Sequence, residues 1–162
     1  METIELSKYG KKHPKKYVVL VDDQDYEFLN KFNWFVSVNN RRSTCYAATK
    51  IVSKMRYMHR ILLNDPDSLV DHIDRNGLNN QRNNLRLASP SLNGQNCKIS
   101  SNNNTGFIGV YWNKKYSKFY ARIVFNYRKI FIGSFDDPKQ AAKAYNKKAV
   151  EIYGINARVN NV

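Results

Sequence analysis

The stretch Val70–Asn96, VDHIDRNGLNNQRNNLRLASPSLNGQN, decides how this chain folds. Leu69 to Ile73 is a short apolar run broken by Asp71 and His72, which reads as a strand. Asn76-Gly77 is the strongest two-residue hairpin signal in the chain, and Asn84-Leu85-Arg86-Leu87 supplies a second strand after it. Ser89-Pro90 then forms an N-cap and N1 pair for a helix carrying Asn93 and Asn96. The order strand, hairpin, strand, helix predicts a ββα unit with polar residues at the strand ends and on the helix face.

Those polar residues suit one kind of chemistry. Asp71 sits directly beside His72, with Asn84 twelve residues further on and Asn93 twenty-one. An imidazole with an unperturbed pKa near 6.5 is largely neutral at physiological pH and is able to take a proton from water. A carboxylate and an amide carbonyl are hard oxygen donors suited to Mg²⁺, which keeps other positions for water and phosphate oxygens. Asn84 is placed to accept a hydrogen bond from the His72 ring and so aim its other nitrogen.

Val70-Asp71-His72-Ile73-Asp74, with Asn79-Asn80, Asn83-Asn84-Leu85-Arg86 and Asn93, closely resembles the HNH homing-endonuclease family, in the variant with asparagine in place of the final histidine. The resemblance implies His72 as general base and Asn84 as the residue orienting it. It implies Asp71 and Asn93 as ligands of a divalent metal, Mg²⁺ or Mn²⁺. The family's zinc-stapled branch is not matched, because its cysteines are absent; Cys45 and Cys97 are far apart and neither forms a CxxC pair, so no structural zinc is expected.

Upstream, Tyr17–Val21 (YVVLV) reads as a strand that runs into Asp22 or Asp23 as the cap of a short helix bearing Tyr26, Leu29 and Phe32. NWFVSVNN and TCYAATKIV read as two strands joined by the turn 39–42, with Trp34, Val36 and Val38 on the buried face. Met55, Met58, Ile61 and Leu62 predict a second helix over about Lys54–Leu63, stopped by Asp65-Pro66. These residues read as a small α+β platform with no chemistry of its own; His13 reads as a solvated residue and His59 as a structural one.

Downstream, the polar stretch Cys97–Thr105 reads as a linker. Beyond it, 107–112, 118–125 and 129–135 read as three antiparallel strands. Asp137-Pro138 starts a helix that Gly154 ends, with Ala141, Ala142, Tyr145, Ala149 and Ile152 as its stripe against the sheet. The free face would carry Arg122 and Lys129 and fit a major groove.

Gly109-Val110, Phe119-Tyr120-Ala121-Arg122-Ile123, Ile132-Gly133-Ser134-Phe135, Ala141-Ala142-Lys143-Ala144-Tyr145 and Gly154-Ile155-Asn156-Ala157 strongly resemble an AP2 DNA-binding domain. That resemblance places Tyr111, Asn113, Arg122, Val124, Lys129, Phe131 and Ser134 on the DNA-facing side. Ile108, Tyr111 and Val124 depart from the plant pattern, in which arginines read bases there, so the same target sequence is not implied. Lys143, Lys147 and Lys148 read as a solvated helix face.

The expected fold class is therefore α+β. Residues 1–96 form the nuclease domain, with the platform at 1–64 and the ββα core at 65–96; 97–105 link it to an AP2-like domain at 106–162, a three-stranded antiparallel sheet plus one helix.

Charge supports the partner. The chain holds 27 Lys and Arg against 13 Asp and Glu, for a net +14. Residues 1–101 carry 16 basic and 10 acidic side chains, and 102–162 carry 11 and 3, so the second part is the denser cation. A polyanion gains affinity for such a surface by releasing counterions.

Double-stranded DNA is the expected partner, with no membrane and no small-molecule substrate, and the protein is expected to act as a monomer. The opening METIELSKYGKKHPKK has no apolar core of signal-peptide length, nothing later approaches a membrane span, and no disulfide framework is present. The expected location is intracellular and cytoplasmic, in the host cytoplasm for a phage-encoded protein. Three functions compete: a site-preferring nicking DNA endonuclease, a non-catalytic DNA-binding regulator with an inert nuclease fold, and an RNA-binding or structural phage protein. The third lacks any RRM-like or KH-like motif.

Overall fold

A computed structural model describes residues 1–7, 16–39, 44–96 and 99–162. His13, the turn residues 40–42 and Cys97 lie outside the described residues. The chain is mixed α+β and divides into two compact units, Met1–Ala88 and Ser89–Val162. The division precedes the predicted third helix, which belongs with the second unit.

In the first unit, β1 (Glu2–Leu6) pairs antiparallel with β2 (Tyr17–Val21). The first strand was not anticipated, although Ile4 and Leu6 alternate with polar residues and are both buried. Helix α1 (Asp23–Leu29) follows. Asp22 stands at its N-cap without a side-chain capping bond. Its carboxylate instead accepts the Arg82 backbone N–H (2.8 Å) and the Gln81 side-chain amide (3.3 Å), tying the start of the helix to the segment before the last strand.

A three-stranded sheet comes next, in the order β3 (Phe35–Asn39), β4 (Thr44–Ile51), β5 (Lys54–Tyr57). The prediction of a helix over Lys54–Leu63 is corrected: Lys54–Tyr57 is strand, and only α2 (Met58–Leu62) is helical. Val52 (φ 47°) and Ser53 (φ 62°) both adopt left-handed backbone, the geometry of a tight hairpin, and so turn the chain back with Ile51 opposite Lys54. Met55, counted as helix core, is half exposed. Val19, Val21, Leu29, Val36 and Met58 are fully buried, each contributing on the order of 1.5–3 kcal/mol of burial.

β6 (Leu69–His72) and β7 (Leu85–Ala88) complete the unit as an antiparallel pair. A long loop ending in the 3-10 turn Arg82–Asn84 connects them, so Asn76-Gly77 is not a two-residue hairpin. Gly77 is required for another reason: a Cβ there would lie 2.3 Å from the Cys45 carbonyl oxygen and 2.6 Å from the Tyr46 ring. The loop folds down against β4, and only hydrogen fits.

The second unit opens with α3 (Pro90–Gln95), whose Ser89 hydroxyl accepts the Leu92 N–H at 3.2 Å. Strands β8 (Val110–Asn113), β9 (Lys118–Phe125) and β10 (Arg128–Phe135) form an antiparallel sheet in the order β10-β9-β8. Helix α4 (Pro138–Tyr153) starts with the Asp137 carboxylate accepting the Gln140 N–H at 3.0 Å, and ends at Gly154 (φ 56°). Ala141, Ala142, Tyr145 and Ala149 are buried against Val110, Ala121 and Ile123, as the alanine stripe predicted. Gly109 (φ 72°) sits where a Cβ would meet the Tyr145 ring at 2.3 Å.

Part of the segment read as a linker is anchored. The Asn103 amide donates to the carbonyls of Phe107 (2.8 Å) and Val110 (3.3 Å), and its oxygen accepts the backbone N–H groups of Thr105 and Gly106. No helix among the described residues is long and apolar enough to cross a membrane.

Candidate functional site

Alternation along β6 sends Asp71 and His72 to opposite sides of the strand. Asp71 is buried opposite its register partner Arg86, whose Nε (3.0 Å) and Nη2 (2.8 Å) both donate to Asp71 Oδ2. His72 is 4% exposed. Its ring lies among aromatic side chains from the first sixty residues: His59 edge-on at 5.0 Å and Tyr46 at 5.8 Å, with Tyr57 stacked on His59 at 5.6 Å. A platform read as chemically silent thus walls in the imidazole.

Burial lowers the His72 pKa; the hydrogen bond to the Asn80 side-chain oxygen and the nearby Asp74 and Asp71 carboxylates offset only part of that cost. His59 is pushed down to about 3 by burial, then by His72 and Arg60. Both rings are neutral at physiological pH.

The side chain facing the His72 ring is that of Asn80, where the resemblance implies Asn84. His72 Nε2 lies 3.4 Å from the Asn80 side-chain oxygen, and Asn80 itself is fully buried, its amide donating to the Gly77 carbonyl at 3.4 Å. An amide oxygen facing Nε2 puts the ring proton there and the lone pair on Nδ1.

Asn84 is spent on the loop instead. Its oxygen accepts the Asp74 N–H (3.0 Å), and its amide donates to Asp74 Oδ1 (2.9 Å) and to the Asn79 carbonyl (2.8 Å). Burial pushes the Asp74 carboxyl up, but hydrogen bonds from the Asn76 backbone and the Asn79 and Asn84 amides hold it below the usual carboxylate range. Nothing in the run of asparagines distinguishes Asn80 from Asn84; the difference arises only when the loop folds.

Asp71, His72 and Asn84 thus lie on the β6–β7 pair and its loop, while Asn93 lies on α3 in the second unit. Among the described residues, no group of three or more His, Cys, Asp and Glu side chains is gathered for a metal. The Asp71 carboxylate is a hard oxygen donor of the kind a Mg²⁺-like cation takes, and its Oδ2 already accepts both Arg86 N–H groups.

In the second unit, the seven residues assigned to the DNA-facing side fall on one face of the sheet. Tyr111 pairs with Tyr120, Asn113 with Lys118, Arg122 with Phe131, and Val124 with Lys129. Strict alternation along β10 would turn Ser134 inward. A bulge between Phe131 and Gly133 shifts the register so that Ser134 stands opposite Tyr120 on the outer face. Arg122 lies 4.5 Å over the Tyr111 ring, a cation–π contact. Tyr120 and, from the turn before β9, Tyr116, which the sequence did not single out, complete this face.

The chain is thus an α+β protein with a histidine–carboxylate pair in one unit and a cationic, aromatic sheet face in the other. Over 140 residues it is 31% identical to a protein of Acanthamoeba polyphaga mimivirus named "Uncharacterized HNH endonuclease L560", an alignment that spans 83% of this chain and 70% of that relative. The chain belongs to the HNH endonuclease family. A segment of 46 residues, 28% of this chain, is 46% identical to "Protein 3.8" of Escherichia phage T7 and spans 38% of it. No family model matches the chain.

Proposed function

We propose that this protein is a metal-dependent, site-preferring DNA endonuclease of the homing type that nicks one strand of a duplex, leaving a 3′-hydroxyl and a 5′-phosphate. The observation that carries the reading is the neutral His72 imidazole, held at Nε2 by Asn80, on the residue next to Asp71. The imidazole accepts a proton from the attacking water as the water oxygen bonds to phosphorus and the bond to the 3′-oxygen breaks, and the departing 3′-oxygen takes a proton from solvent. Asn84 keeps the 73–84 loop closed, so that Asn80 stays against the ring. Asp71, together with Asn93 by family resemblance, would hold a divalent cation such as Mg²⁺. When bound, that cation neutralises charge on the phosphate.

The second unit would serve as an AP2-like DNA-binding module. Tyr111, Asn113, Arg122, Val124, Lys129, Phe131 and Ser134 would face the DNA, with Arg122 and Lys129 supplying charge. A single histidine centre suits a monomer that nicks; cutting both strands would need a second event.

The test is a supercoiled plasmid carrying the DNA that flanks the gene, incubated with Mg²⁺ or with EDTA. Open-circle product from the wild type with metal, and none from His72→Ala, is the expected result. Tight binding without cleavage in any divalent metal would instead identify a DNA-binding regulator on an inert nuclease fold.

A further inference from the structure

The outer face of the β8–β10 sheet carries a row of aromatic rings. Tyr111 on β8 and Tyr120 on the central strand lie 5.7 Å apart, and Tyr120 lies 5.2 Å from Phe131 on β10. Tyr116, from the turn between β8 and β9, stacks on Tyr120 at 6.2 Å with only 16° between the planes. This row is open to solvent: Tyr116 is 56% exposed and Phe131 58%. The core of the unit lies on the opposite face, so packing of that core does not account for these rings. A contiguous exposed aromatic patch marks a binding surface.

The charge on its strands has one sign, and the neighbouring Asp136, just past β10, is paired with Lys118. Strands β8, β9 and β10 read VYWN, KFYARIVF and RKIFIGSF and contain no Asp or Glu. Arg122 and Lys129 project from the same face, and the Lys115 ammonium lies 5.2 Å from the centre of the Tyr116 ring. The complement of such a surface is a polyanion that also presents flat apolar rings. An intact duplex offers base edges and methyl groups in its grooves but keeps the faces of its bases stacked. Unpaired nucleotides offer both phosphates and free base faces.

We propose that this sheet face binds unpaired nucleotides of a DNA strand, with bases stacked on Phe131 and Tyr116 and phosphates held by Arg122 and Lys129. The proposal rests on the reading of the sheet as a DNA-binding surface, and specifies which form of DNA it takes. The enzyme would then favour a substrate with opened or gapped DNA where the sheet docks.

The test measures binding of full-length protein by fluorescence anisotropy to one sequence as single-stranded DNA, single-stranded RNA and duplex DNA, at fixed salt. Phe131→Leu and Tyr116→Leu remove an exposed ring and keep an apolar side chain, and circular dichroism checks their fold. Each is expected to weaken single-stranded DNA binding on the order of tenfold, and Tyr116→Leu, which lies outside the seven residues placed against the DNA, is expected to change duplex binding by less than about twofold. A 2-aminopurine base in the strand should be quenched by the wild type and less so by the two variants. Equal weakening of strand and duplex by Tyr116→Leu, or no change in either with both variants, would overturn the proposal. Tighter, ring-dependent binding of RNA than of DNA would overturn the choice of DNA. If Arg122→Ala leaves binding of every probe unchanged, it is the underlying reading of the sheet that fails.

Discussion

The His72 ring is held by neighbours of two different kinds, and substitutions separate them. Asn80 supplies the acceptor for Nε2. Asn80→Ala should lower plasmid nicking by roughly 10- to 100-fold at saturating DNA while leaving the dissociation constant for DNA unchanged. Asn84→Ala removes the bonds that close the loop and should cost on the order of 1–3 kcal/mol of stability, read by urea unfolding. His59 makes a third test, because its Nδ1 is buried without a hydrogen-bond partner and its pKa is held at about 3. The folded state then binds fewer protons than the unfolded chain between the ordinary histidine pKa near 6.5 and the folded value. His59 therefore imposes no penalty above that window and destabilises progressively as pH falls through it, by at most about 1.4 kcal/mol per pH unit. His59→Phe should unfold less steeply with acid between pH 6 and pH 4; an unchanged slope would show that His59 is not the group responsible. His72, also lowered by burial, adds to the acid sensitivity with the same sign and remains in the variant.

Elements in the first unit are joined through charged staples as well as the core. Arg82, in the 3-10 turn before β7, pairs with both oxygens of the buried Asp25 on α1 through Nε and Nη2, each at 2.8 Å, and also donates to the Leu62 carbonyl at the end of α2. Arg82→Ala would leave Asp25 buried and unpaired. A loss on the order of 2–3 kcal/mol is expected in thermal or urea unfolding, discounted from the fully buried case because the arginine is half exposed. Sequence alone does not single out Asp25, since its partner lies 57 positions away. Periodicity served well where an element's own pattern was decisive, as in β2 and α4. It failed at Lys54–Tyr57, where the left-handed turn at Val52-Ser53 overrode an apolar spacing that also fits a helix.

At the scale of the whole molecule, the excess of positive charge should govern affinity for DNA. Binding should weaken steeply with salt, and Lys129→Ala should weaken all duplex sequences about equally while reducing the slope of log K against log salt by about 1, measured by titration at several ionic strengths. That charge, the α+β class, the Asp71-His72 pair and the sheet-plus-helix pattern after residue 105 were legible in the sequence, because each depends on composition or on residues close together in the chain. Only the tertiary structure decided which asparagine meets the His72 ring, that Tyr46 and His59 pack against it with Tyr57 stacked on His59, and that a bulge turns Ser134 outward beside Tyr120. These are contacts between side chains brought together by loop closure and strand register. A one-residue shift in pairing or a different fold of the 73–84 loop would change them without altering any local pattern.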